Sequence, residues 1–129
     1  MRARLRSDRG DGVISVLLAF LLLVVIVVFA IQAIGFAHTR SVAQAAAQDG
    51  AEAAASEGPA AGIARAKAIL RAAGGAGKGL HPAVSTTANT VTVQVSGSAP
   101  HVLPGVNLVL PAIVAHASTP LERYPQDEQ

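Results

Sequence analysis

Cysteine is absent from the chain, which excludes a disulfide framework, a lipid-modified N-terminal cysteine and every thiolate metal site. Tryptophan is absent too, and aromatic residues make up 3% of the sequence, so the stacking platforms of single-strand nucleic-acid binders are missing. Histidine is scattered: His38, His81, His101 and His116 form no i, i+3 or i+4 pair and have no carboxylate at ligand spacing, so no metal is expected. Ser96-Gly97-Ser98 is not a nucleophile elbow, and Asp49, Glu52 and Glu57 are the only acids between residue 38 and the C-terminal tail, so no catalytic triad can be assembled. The glycine-rich GGAGKG ends in Gly79 rather than Ser or Thr, which makes Lys78 a linker residue and not a phosphate-loop lysine. Excess charge is also lacking, since residues 38–129 carry six basic and six acidic groups and the net +2 of the chain resides in its first segment. Together these absences predict a protein that is not an enzyme, takes no cofactor or small-molecule substrate, and does not bind nucleic acid.

What the sequence does have is one long apolar run. In RSDRGDGVISVLLAFLLLVVIVVFAIQAIGFAHTR, residues 6–40, a charged leader with two glycines precedes residues 13–37, which hold 25 positions without a formal charge. Only Ser15, Gln32 and Gly35 interrupt the apolarity. As a helix this run is roughly 38 Å long, against about 30 Å of bilayer hydrocarbon, so it can cross with some tilt. A cleaved secretory signal has a shorter apolar region with a small-x-small site close behind, whereas here the nearest such site lies around Ala45 to Ala47. A retained helix is therefore the better reading. Arg2, Arg4, Arg6 and Arg9 precede the run and only Arg40 follows closely, which predicts a cytoplasmic N-terminus and an extracytoplasmic remainder in the cell membrane. Arg9-Gly10-Asp11 would then face the cytoplasm, out of reach of an adhesion receptor, and reads as coincidence. No arginine pair marks the leader for the twin-arginine route.

The run continues into SVAQAAAQDGAEAAASEG, rich in the best helix former and stopped by Gly58-Pro59, so one helix is predicted from about Val13 to Ser56. Ala43, Ala47, Ala51, Ala54 and Ala55 form a small-residue stripe, while Gln44, Gln48, Asp49, Glu52 and Glu57 supply polarity. Such a stripe suits a closely packed partner, although a solvated alanine stalk is the other reading. PAAGIARAKAILRAAGG predicts a short amphipathic helix with Ile63, Ala66, Ile69, Leu70 and Ala73 on one face, followed by a flexible glycine linker. Its basic residues Arg65, Lys67 and Arg71 read as a solvated face, with lipid headgroups the weaker alternative.

Beyond the linker the period changes to two. Val91, Val93 and Val95 alternate with Thr92, Gln94 and Ser96 in the clearest strand; residues 84–88 are its expected antiparallel neighbour through a turn at Asn89-Thr90, and residues 112–118 offer a third strand. PHVLPGVNLVLP, with three prolines, reads as a connection or edge segment. The predicted class is α+β: a basic cytoplasmic leader at 1–12, a transmembrane helix at 13–37, an Ala-rich helical extension at 38–58, and at 59–129 a small exterior domain. That domain holds a short amphipathic helix against the valine face of a sheet of about three strands, and closes in a disordered C-terminal tail.

This order of parts resembles type IV pilin-like proteins, and more narrowly the TadE/TadG-like family of tight-adherence pilus assembly proteins. DRGDGVISVLLAFLLLVVIVVFAI, RSVAQAAAQDGAEAAA and the ending VTVQVSGSAPHVLPGVNLVLPAIVAHASTPLER carry the likeness. The resemblance implies a bacterial protein processed by a prepilin peptidase after a glycine ahead of the helix, which places the candidate site at Gly10, Asp11, Gly12 and Val13. It also implies other pilus or secretion proteins as partners. Family members often carry glutamate five residues past the cut, where this chain has Ser15 or Leu17, and no carboxylate occurs between Val13 and Ala37. A buried carboxylate that pairs with a neighbour's terminal ammonium is thus missing, which points to a minor pseudopilin or assembly factor and away from a major filament subunit. The alternative is an uncleaved single-pass anchor carrying an envelope protein-binding module.

Overall fold

The computed structural model describes residues 8–101 and 110–121. The chain divides into two compact units, residues 1–33 and 34–129. Most of the proline-bearing connection, the first part of the leader and the C-terminal tail lie outside the described residues. The class is α+β, as the sequence predicts: helices α1 (Asp8–Glu57) and α2 (Pro59–Ala72), a 3₁₀ turn (Gly74–Gly77), and strands β1 (Leu80–Thr86), β2 (Thr90–Gly97) and β3 (Ile113–Pro120).

Helix α1 begins at Asp8, earlier than the expected start at Val13, so residues 8–12 of the expected leader are helical and the two glycines sit inside the first turns. In the first unit the apolar side chains are exposed all round, and none of the most apolar window is covered by protein. A helix apolar on every side is stable only in an apolar surrounding, and this one is long and apolar enough to cross a membrane. The helix stops where Gly58 adopts φ 101°, a conformation open to glycine and costly for other residues. Pro59 then opens α2 with its fixed φ and no amide hydrogen to leave unpaired.

The second unit is a helical hairpin packed on a three-stranded antiparallel sheet of order β1-β2-β3. Strand β2 is central, and its register pairs Val93 with Val84 on one side and with Ala117 on the other. Val91, Val93 and Val95 are buried and form one core with Ile113, Ala115, Ala66, Leu70 and the alanines of α1. Each buried Val or Ile contributes about 1.5–3 kcal/mol, so the sheet face supplies most of the hydrophobic stabilisation and the alanines supply close approach.

Four local features differ from the expectation. The valine face was expected to rest on α2 alone, but α1 shares it: a β-carbon built at Gly50 would lie 3.3 Å from Val93 Cγ1. Strand β1 starts at Leu80 and ends at Thr86, spanning Pro82; this is an edge strand, where a missing ladder donor is tolerated. The turn therefore lies at Thr87–Asn89, where both the amide and the hydroxyl of Thr87 donate to the Thr90 carbonyl, at 2.8 and 3.1 Å. Third, the first four residues of GGAGKG, Gly74–Gly77, form a 3₁₀ turn, and Gly77 lies so close to the Leu70 carbonyl that no side chain fits between them. Finally, strand β3 runs two residues further than expected at its C-terminal end, to Pro120, and the Leu121 amide donates to the Asn89 carbonyl at 2.9 Å.

Candidate functional site

Two sets of residues were singled out by the sequence, and each lies in its own unit. In the first, Gly10, Asp11, Gly12 and Val13 are consecutive helical residues, all exposed. Neither glycine has positive φ, and a β-carbon at either would meet nothing within 4 Å. The fold therefore gives no steric reason for glycine at these positions, while each costs a helix about 1 kcal/mol relative to alanine. The hydroxyl of Ser15 donates to the Asp11 carbonyl at 2.7 Å, so the side chain five positions past Gly10 is engaged by its own helix.

In the second unit, Ala43, Ala47, Ala51 and Ala54 are all nearly or fully inaccessible, and the surface they face is the chain's own α2 and sheet. The buried arc is wider than the predicted stripe, for it includes Ala46 and Gly50. Two neighbours explain the extra width, because α1 meets α2 along one side and the sheet along the next. The closest approach is between glycines: a β-carbon at Gly62 would sit 2.5 Å from Ala54 Cβ and 2.7 Å from the Gly50 carbonyl oxygen. Gly62 belongs to no apolar pattern, so the expected α2 face omitted it. The available signal was its spacing of four from Ala66, which with Leu70 makes one row of buried residues.

On the opposite side, Gln44, Gln48, Asp49, Glu52 and Glu57 are exposed. Asp49 and Arg65 approach at 3.8 Å across the hairpin, with 48% and 61% of their side chains accessible. An ion pair this open contributes little, so Asp49→Asn is expected to change the unfolding free energy by less than about 0.5 kcal/mol in a denaturant titration. The histidines are exposed and dispersed, with His38 on α1, His81 on β1, His116 on β3 and His101 after β2.

The outward face of the sheet carries no carboxylate, lysine or arginine; His81, Thr92, Gln94, His116 and Ser118 stand on it together with the exposed Ala83 and Val114. The side chains of Thr92 and Ser118 share a hydrogen bond of 2.9 Å on it. No family model, curated protein or solved structure matches this chain, so the reading of function rests on its own residues and geometry.

Proposed function

We propose that this protein is a minor pseudopilin-like component or assembly factor of a tight-adherence type IV pilus or secretion system, acting by helix packing in the membrane and exterior protein contacts and not as an enzyme. In this reading α1 crosses the cell membrane once, with the N-terminus cytoplasmic and the helical hairpin and sheet outside. A single observation carries it: Gly10 and Gly12 stand within one turn of a helix that has no packing need for them, immediately ahead of the apolar run. A peptidase must draw its scissile segment into extended form, and two glycines lower the cost of unwinding that turn. The hairpin and sheet then supply a rigid head on an anchored helix, as the resemblance to TadE/TadG-like proteins implies.

Ser15 favours the second reading, an uncleaved anchor carrying an envelope protein-binding module. Its hydroxyl is satisfied within the helix, where a filament subunit would offer a carboxylate to its neighbour's terminal ammonium. N-terminal sequencing and intact mass of the protein from its native membranes separate the two. A terminus at Asp11 or Val13 is the expected result. A terminus at Met1 from membranes with active prepilin peptidase overturns the processed reading in favour of the anchor.

A further inference from the structure

The charges of the second unit are sorted by level along α1. Among the described residues the only ion pair is Arg65 with Asp49, and the other exposed cations of this unit are Arg40, Lys67, Arg71 and Lys78. Two routes through the fold fix where these cations lie. Along the hairpin, Gly62 abuts Ala54 and Gly50, and a β-carbon at Gly50 would be 3.2 Å from Ala66 Cβ, so α2 runs back along α1 toward the end of the apolar run. At 1.5 Å per residue, Arg71 reaches a level about 7 Å below Gly50, that of α1 near residues 43–45. Along the sheet, Val93 lies at the level of Gly50, and Ile113 lines a shallow depression with Phe36 and Arg40. Ile113 pairs with Gly97, and Gly97 with Leu80, so Lys78 and Gly79 stand at the level of residues 36–40. Lys67, Arg71, Lys78 and His81 surround a second depression at this end of α2.

The apolar run ends at Ala37, within this unit. A headgroup layer is roughly 5–7 Å deep on each side of the hydrocarbon, and charge is felt over about 8–10 Å in physiological salt. Arg40 and Lys78 fall in that layer, and Arg71 and Lys67 are within reach of it through their long side chains. The acids Asp49, Glu52 and Glu57 stand about 18–30 Å beyond Ala37, outside it. We infer that this end of the unit is a docking surface for anionic phospholipid headgroups of the membrane that α1 crosses, seated through Arg40, Lys67, Arg71 and Lys78. The inference rests on the membrane-spanning reading and is independent of processing or pilus assembly. Docking there holds the head against its own membrane, and neutralising the lipid charge, or raising salt, releases it.

The absence of cysteine makes the test direct. Gly75→Cys adds a β-carbon with nothing within 4 Å beside the basic depression, and Ala88→Cys places an exposed site in the loop at the other end of the sheet. Each full-length variant is labelled with an environment-sensitive fluorophore and reconstituted in vesicles of phosphatidylcholine, with or without phosphatidylglycerol, that contain a headgroup-linked quencher. Quenching at position 75 is expected to rise in the anionic vesicles and position 88 to stay unquenched in both. Adding Lys67→Gln, Arg71→Gln and Lys78→Gln is expected to weaken docking by about a hundredfold, roughly fivefold per cation, and to abolish the rise. These side chains are exposed, so an unchanged circular dichroism spectrum establishes that the variant is folded. Equal quenching at position 75 in both vesicles, with the protein resistant to carbonate extraction, overturns the docking alone. Extraction by carbonate overturns the membrane-spanning reading and the docking with it.

Discussion

Gly62→Leu is expected to abolish the folded state of residues 34–121, and Gly62→Ala to cost about 2–3 kcal/mol. The reason is distance. A single methyl at this position would stand 2.5 Å from Ala54 Cβ and 2.7 Å from the Gly50 carbonyl, and neither neighbour is the end of a flexible chain that could swing aside. Either the helices separate or α2 shifts along α1, and both open the alanine layer beneath Val93. Glycine is normally a liability within a helix, so alanine here would be stabilising by about 1 kcal/mol if packing did not matter. The sign of the change therefore reports whether the helices touch. Amide exchange of the β2 residues in detergent is the proper measurement, because the helical signal of the first unit would survive unfolding of the second. Gly75→Ala, in open space, is the matched control and is expected to leave protection unchanged.

Val93→Asp is expected to be as damaging by a different route. Val93 is fully buried at the middle of the central strand, paired on both sides and facing Gly50. A carboxylate there has no donor to meet, and the cost of burying it unpaired amounts to several kcal/mol, comparable with the whole stability of a domain this small. The neighbouring Gln94→Asp puts the same charge on the exposed side of the same strand and is expected to stay within about 0.5 kcal/mol of the native protein. Thermolysin cleavage of the two variants under native conditions separates them: the first digested beyond α1, the second resistant.

The pair also shows why the sheet was legible in the sequence. Side chains on a strand alternate strictly, so Val91, Val93 and Val95 against Thr92, Gln94 and Ser96 identify both the strand and its buried side without knowledge of any neighbour. The apolar run and the alanine extension were legible for the same reason, since length and propensity are local properties. Gly62 and Gly77 were not. Their role is to let another backbone come near, and nothing in the surrounding residues says which backbone that is. Ala46 was missed in a related way, because a stripe presumes one partner and α1 has two. Strand β1 begins four residues before the expected start and spans Pro82, which its position at the sheet edge tolerates. For the proposed processing segment, the residues themselves are a matter of sequence. The structure adds that Gly10 and Gly12 are helical and uncrowded, which no pattern of letters could convey.

The alanine lining of α1 bears on the order in which the chain comes together. Its partners are distant in sequence, for Ile113 and Ala115 join Ala43, Ala46 and Ala47 only after about 70 intervening residues have been made and arranged. A spine lined with leucine would spend that interval as an exposed sticky surface, prone to capture by other chains. Alanine holds the helix by propensity alone and offers little apolar area while it waits. The same residues that permit close packing at the end thus leave an unfinished molecule with little on that helix for a neighbour to seize.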